Sequence, residues 1–169
     1  LEIRRYREAD QPGVIRLFRQ FMEELTPRDM KADFDSYVEI AIRGELSRIP
    51  EYYFAKPRQG FWVADIEGVV GMVGIEQSSE RVAELRRMAV ETSQRRRGIA
   101  RALLQAAEAF CRESGYDRIE LNTSERQAAA RRLYEASGYR LLGTGVIAKT
   151  THKLIGGLTR YYYEKELGK

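Results

Sequence analysis

Between Leu85 and Ala100 the chain reads LRRMAVETSQRRRGIA. An apolar strand end, Met88-Ala89-Val90, passes through a short polar loop into Arg95-Arg96-Arg97-Gly98-Ile99-Ala100-Arg101, and an Ala-rich helical stretch opens at once. A strand that turns this abruptly into a helix lays the helix back across its own sheet. The turn also leaves a helix N-terminus open. Its first N–H groups have no intrahelical partner, and the helix dipole favours negative charge there. Gly98 removes a Cβ from the approach to that backbone, and Ala100 is small for the same reason or for close packing on the sheet. The arginines add the charge that a diphosphate requires. The segment is an anion cradle, or else an ordinary strand–helix turn with solvated arginines. It is not a P-loop, since no Gly-Lys-Ser/Thr follows, and it lacks the glycine spacing of a dinucleotide fingerprint.

Periodicity extends the pattern in both directions. Glu2–Tyr6 is a short strand, and Asp10 caps a helix over Pro12–Glu24 with Pro12 in its first turn. Val14, Leu17, Phe18, Phe21 and Leu25 give that helix its apolar side. Thr26–Met30 is a loop, Asp33–Leu46 a second helix and Ile49–Gln59 irregular. Strands are expected at Phe61–Ile66, Val69–Ile75 and Val82–Val90, with Glu67-Gly68 as a hairpin turn. A helix follows over Gly98–Ser114, with Ile99, Leu103, Ala106/Ala107 and Phe110 inward. Then come a strand (Arg118–Asn122), a helix (Gln127–Ser137), a strand from Tyr139 and a last strand over Thr159–Leu167. Lys149–Gly157 is the least readable part. The order predicts an α+β, mixed α/β domain with a central mixed sheet of about six or seven strands and about four helices over both faces.

Composition excludes several classes. A chain of 169 residues with 43% hydrophobic and 32% charged residues suits one globular domain over 1–169. No stretch approaches the roughly 18 apolar residues of a membrane span, and the charged start LEIRRYREAD is no secretory signal. The single cysteine, Cys111, excludes an internal disulfide, and one Cys with one His makes a metal site improbable, so no metal is called for. These features point to a cytoplasmic protein. A net charge of +4 suits an anionic ligand as well as it suits nucleic acid, but with so local an arginine cluster it is too small to prefer a nucleic-acid binder, which needs a broad basic face with stacking aromatics.

A second feature lies downstream: QAAARRLYEASGY, Gln127–Tyr139. Together, the strand–(Arg/Gln)-x-x-Gly-x-(Gly/Ala)–helix segment and the later Ala-x-x-Leu-Tyr-x-x-x-Gly-Tyr helix resemble the GNAT N-acetyltransferase superfamily from about Phe61 to Leu142. IRRYREAD, GFWVADIEGVVGMVG, SQRRRGIARALL and ARRLYEASGY look like its camello-like branch. Members of that branch include membrane-anchored enzymes acting on small amino acids and cysteine conjugates. This chain lacks their hydrophobic insertion after the first helix and looks like a soluble relative.

The resemblance implies an acetyl-CoA-dependent N-acetyltransferase whose partners are coenzyme A and a small amine such as an amino acid or conjugate, with a homodimer joined near the Tyr161–Tyr163 strand as an allowed assembly. Backbone groups of Met88, Ala89 and Val90 would hold the pantetheine arm and polarise the thioester, helped by a β-bulge. Backbone N–H groups from Arg95 to Arg101 would take the pyrophosphate. Tyr134 would assist the leaving thiolate. Gln127, where the pattern usually has Asn, and Asn122 compete to bind the coenzyme arm. The acceptor amine needs deprotonation, for which Glu84 is the first candidate. It shares a strand face with Val90 unless a bulge intervenes, and Glu76, Glu120 or water are the alternatives. Phe34, Tyr37, Tyr52, Tyr53 and Phe54 suggest an aromatic acceptor wall, and Arg28, Arg43 and Lys56 are candidate carboxylate partners. His152 is read as a surface loop residue and Cys111 as a quiet buried thiol. A non-catalytic acyl-CoA-binding module would keep the cradle without turnover, and a peptide or protein acceptor is the alternative within the enzyme class.

Overall fold

Strand-like alternation appears in seven segments of the computed structural model, which describes residues 1–168: β1 (Glu2–Arg5), β2 (Gly60–Asp65), β3 (Val69–Gln77), β4 (Val82–Val90), β5 (Arg118–Ser124), β6 (Arg140–Val146) and β7 (Thr159–Glu166). They form one sheet in the order β1-β2-β3-β4-β5-β7-β6, in which only β4 and β5 pair in parallel. Four α-helices, α1 (Gln11–Leu25), α2 (Lys31–Ala41), α3 (Ile99–Glu113) and α4 (Ala128–Ala136), cover it.

Neighbouring residues on a strand point to opposite faces, so each internal strand feeds two cores. Phe61, Val63, Met72 and Ala89 pack under Val14, Leu17 and Phe18 of α1 and Phe34, Tyr37 and Val38 of α2. Trp62, Val73, Leu85 and Val90 pack under Leu103, Leu104, Ala107 and Cys111 of α3, with Tyr134 of α4. The buried stripe of α3 is rotated from the expected one. Leu104, Glu108 and Cys111 are inside, and Ala106 and Phe110 sit at its margin. Glu108 can be buried because Tyr139 Oη and Lys165 Nζ both donate to its carboxylate, at 3.0 and 2.9 Å.

The structure departs from expectation in four places. Asp10 makes no side-chain cap to α1. Its carboxylate instead accepts both Nη1 and Nη2 of Arg4 at 2.8 Å and the Arg7 N–H at 2.8 Å, clamping β1 to the start of the helix. The second helix is α-helical only to Ala41, and Ile42–Leu46 widens into a π-type turn that brings Ile42, Glu45 and Leu46 all inside. A second such turn, Pro50–Phe54, occupies the stretch read as irregular. The Tyr161–Tyr163 segment lies in β7, between β5 and β6, so it is an interior strand and not an exposed edge.

Cys111 has no exposed surface, and burial pushes its thiol up to about 12. At pH 8 the folded protein should therefore react with a thiol-exchange dye at least about 100-fold more slowly than the protein unfolded in guanidinium. Equal rates would show that the α3 side of the core opens readily.

Candidate active site

Pairing between β3 and β4 runs Gly71↔Val90 and Met72↔Ala89, then resumes at Gly74↔Arg86. Val73 alone therefore faces both Arg87 and Met88, a β-bulge with the extra residue in β4. Arg87 takes φ +60, a left-handed backbone that costs a non-glycine residue on the order of 1 kcal/mol or more. The bulge turns two consecutive side chains to the same side. Arg86 Nη2 reaches Glu45 Oε1 at 2.8 Å, and Arg87 reaches the same carboxylate through Nε and Nη2, both at 2.9 Å. Tyr53 Oη adds a fourth donor at 2.5 Å. Glu45 is fully buried, and every lone-pair direction of its carboxylate is used.

On the other side, β4 and β5 pair only at Val82↔Arg118, Ala83↔Ile119 and Glu84↔Glu120. Beyond Glu84 the two strands run on without pairing, β4 to Val90 and β5 to Ser124. A cavity of about 150 Å³ lies at this splay. Its lining includes Phe18, Phe34 and Tyr37 from the α1–α2 core and Leu85 and Tyr134 from the α3–α4 core, so it passes through the sheet. Met88, Ala89, Asn122, Thr123 and Gln127 line it between those faces. Thr123 Oγ1 is buried in this wall without a hydrogen-bond partner among the described residues.

At the far end of β4 the chain makes a short 3₁₀ turn, Thr92–Gln94, and enters α3. Arg96 (φ +64) and Gly98 (φ +77) are both left-handed, and Gly98 is the N-cap. Left-handed residues in a turn of this kind aim neighbouring N–H groups into a concavity that suits an anion. The first bond that closes α3 is Ala102 N–H to Gly98 O at 3.0 Å, which leaves the N–H groups ahead of it for a ligand. A Cβ built on Gly98 meets nothing within 4 Å, so the cradle is open. The arginines divide their work. Arg95 is drawn back to Val90 O (3.2 Å) and Glu24 (2.9 Å), Arg97 reaches Gln94 (3.1 Å), and Arg96 and Arg101 are exposed.

Residues 15–139 match the family model described as the acetyltransferase (GNAT) family. The chain belongs to the GNAT acetyltransferase family. It is 36% identical over 132 residues to the N-acetylaspartate synthetase of Xenopus tropicalis, covering 77% of this chain and 47% of that protein. To human N-acetyltransferase 8B it is 33% identical over 119 residues, covering 67% and 52% respectively. The chain thus spans about half the length of these relatives. Its fold matches a GNAT acetyltransferase from Staphylococcus aureus Mu50 with a TM-score of 0.74 at 21% identity, covering 99% of both chains. It also matches a Salmonella typhimurium acetyltransferase solved with acetyl-CoA, with a TM-score of 0.67 at 16% identity, covering 99% of this chain and 94% of that one.

Within this GNAT fold the expected site residues fall into two groups. Glu84, Met88, Ala89, Asn122, Gln127 and Tyr134 all line the cavity. Val90 sits just beyond it in the α3–α4 core, and Arg95–Arg101 form the separate helix-capping loop. The Tyr134 ring lies between Tyr139 (5.8 Å) and Tyr163 (6.3 Å), and desolvation alone pushes its hydroxyl well above the ordinary tyrosine range. Gln127 Oε1 accepts from Ser124 N–H and Oγ, both at 3.2 Å, and Asn122 Oδ1 accepts from Arg160, so each amide keeps its NH₂ for a ligand.

The base candidates form a row across three strands, Glu76↔Glu84↔Glu120. Glu84 alone of the three lines the cavity, where Arg86 Nε (3.2 Å) and Lys153 Nζ (3.6 Å) hold it. Because the bulge intervenes, Glu84 and Val90 do not share a face. Val90 belongs to the α3–α4 core, while Glu84 pairs with Arg86, which reaches Glu45 on the opposite side. Phe34 and Tyr37 reach the cavity, whereas Tyr53 is spent on Glu45 and Phe54 packs beside Tyr6. Arg28, Arg43 and Lys56 are exposed and do not line it. His152 is no plain surface residue: its Nε2 lies 3.1 Å from Tyr52 Oη, which donates to Glu76 at 3.0 Å, and burial lowers its pKa.

The residues missed were Glu45, Arg86, Arg87 and Arg160. The available signal was an Arg-Arg pair inside an apolar strand, which has to find buried counter-charge. Burial pushes the Glu45 carboxyl up, but Arg87 and then Arg86 more than reverse this and hold it down to about 2, against an ordinary 4.5. A carboxyl whose folded pKa is depressed contributes stability above its unfolded pKa and loses it as pH falls toward the folded one. Glu45→Gln should lose about 3–5 kcal/mol at pH 7 by urea denaturation. It should then lose less than the parent between pH 4.5 and 2, and parallel acid profiles would refute the assignment.

Proposed function

We propose that this chain moves an acetyl group from acetyl-CoA to the primary amine of a small acceptor by direct attack. The observation that carries the reading is the cavity at the β4–β5 splay, open to both faces of the sheet and lined by Tyr134 on one side and Glu84 on the other. Two features suit coenzyme A. The Arg96–Arg101 turn offers unpaired N–H groups and three exposed arginines for a pyrophosphate. The unpartnered Thr123 hydroxyl and the free amide NH₂ groups of Asn122 and Gln127 suit the amides of a pantetheine arm. The relatives named N-acetylaspartate synthetase and N-acetyltransferase 8B support a small acceptor.

When bound, acetyl-CoA supplies an activated thioester. The residues then have three tasks. The backbone N–H groups of the Met88–Val90 segment that point away from β3 into the splay donate to the oxygen on which negative charge develops. An ordinary amine of pKa near 10 is neutral in only about one molecule in a thousand at pH 7, so a proton must leave before attack. Glu84 receives it, directly or through water, at the α1–α2 mouth. Tyr134, kept protonated by burial, donates its hydroxyl proton to the departing sulfur and is recharged, through solvent, by the proton the nitrogen loses as the amide forms. A reducing, cytoplasmic setting suits a protein whose one thiol is buried.

Release of free CoA thiol across a panel of amines tests the reading. Tyr134→Phe should lower kcat by about 100-fold or more with acetyl-CoA affinity nearly unchanged. Gly98→Glu should weaken acetyl-CoA binding at least about tenfold by calorimetry while the protein stays folded. Absence of acetyl-CoA binding by the parent protein would overturn the proposal. Binding without turnover of any amine would leave an acyl-CoA-binding module.

A further inference from the structure

Four cationic side chains line the cavity: Arg86, Arg87, Lys153 and Arg160. Three are neutralised. Arg86 meets Glu45, Glu76 and Glu84, Arg87 meets Glu45, and Lys153 meets Glu76 and Glu84. Arg160 meets no carboxylate among the described residues. It is only 8% exposed, and its recorded partner is a neutral amide oxygen, Asn122 Oδ1, at 3.0 Å from Nε and 2.8 Å from Nη2. Burying a charge against a neutral group is costly and persists where something else supplies the counter-charge. Burial pushes the guanidinium pKa downward, as expected of a cation lacking its anion.

Its position says where that anion comes from. Arg160 faces Ser124 and lies two residues from Tyr162, which faces Asn122, so Arg160 and Asn122 stand on one face of the sheet. Tyr161 and Tyr163, which alternate with them, belong to the α3–α4 side, where Tyr134 sits. Arg160 therefore looks toward α1 and α2, the mouth through which an acceptor would enter, across the sheet from Tyr134. The Arg96–Arg101 turn, which suits phosphates, belongs to a different loop. Asn122 occupies Nε and Nη2 from one edge, which orients the fork and leaves Nη1 and the second Nη2 hydrogen for a two-point contact.

We infer that Arg160 is a specificity-determining residue that binds the carboxylate of the acceptor, so that this protein acetylates amines bearing a carboxylate and discriminates against the same amines without one. This rests on the proposed acetyl transfer and assigns the residue that selects its acceptor by the carboxylate. Arg160 takes no part in bond making. It holds the carboxylate end so that the amine points into the splay.

The test compares matched pairs, an L-amino acid and its primary amide, with aromatic and aliphatic side chains, in the thiol-release assay. The amide is the less basic amine, so any preference for the acid opposes intrinsic reactivity. The acid should show a kcat/KM about 100-fold higher or more. Arg160→Gln should collapse that ratio to within a few-fold by raising the KM of the acid, and Arg160→Lys should restore part of it. Equal rates for acid and amide in the parent protein would overturn the inference, and so would a ratio unchanged in Arg160→Gln. A KM for acetyl-CoA raised equally with both partners would also overturn it, by assigning Arg160 to the coenzyme arm. A readout free of turnover is binding with CoA present: an N-acetyl-L-amino acid should bind at least about tenfold tighter than its amide. Failure of every amine to react, with that preference intact, would count against the acetyl-transfer reading and leave the Arg160 assignment standing.

Discussion

The fully buried carboxylate of Glu45 is the constraint from which the rest of the site follows. Two consecutive arginines on one strand would ordinarily point to opposite faces, and one of them would enter the α3–α4 core. The bulge turns both to the same side, and Glu45, which also accepts from the Tyr53 hydroxyl, receives them. Without that acceptor the left-handed backbone at Arg87 would have nothing to hold it, because an ordinary strand conformation is cheaper. The π-type turn at Ile42–Leu46 serves the same end, since it carries Glu45 into the interior beside two apolar neighbours.

Much of the site follows from that anchor. With the bulge fixed, β4 bends away from β5 after Glu84, and the backbone between Leu85 and Val90 loses its parallel partner. Unpaired backbone in a sheet interior would be a fault in most proteins. Here it borders a cavity in which side chains from both cores meet, and the buried hydroxyl of Thr123 is likewise unpartnered. Polar groups left wanting on both strands define a slot that an elongated ligand with amide groups completes.

The parts legible in the sequence were those that local rules decide. The strand–arginine–glycine–helix segment could be read because a glycine before an Ala-rich amphipathic run fixes the helix start, and the Leu133-Tyr134 pair because it sits on a short helix with one buried side. The α2 boundary was misread because the apolar spacing continues through Ile42 and Leu46, and nothing local reveals that the turn widens. Asp10 had the sequence of a cap, yet the guanidinium of Arg4 outbids helix N–H groups for a carboxylate. The Glu45–Arg86–Arg87 cluster joins positions about 40 residues apart, so only tertiary structure brings the charges together. The carboxylate partners chosen from the first third of the chain, Arg28, Arg43 and Lys56, turned out exposed, whereas Arg160 acquires its surroundings from β5, α2 and the β6–β7 connection.

Three residue pairs, Val82↔Arg118 to Glu84↔Glu120, are the whole seam between the four strands β1–β4 and the three strands β5–β7. The sheet is mechanically two plates joined along one short edge. From Glu84 to Val90 the free arm of β4 extends about 20 Å at strand rise. A rotation of about 5° at the seam therefore shifts the far end by about 1.7 Å, roughly the radius of a methyl group. The short seam makes the width of the slot the dimension of the sheet that the fewest backbone hydrogen bonds hold fixed.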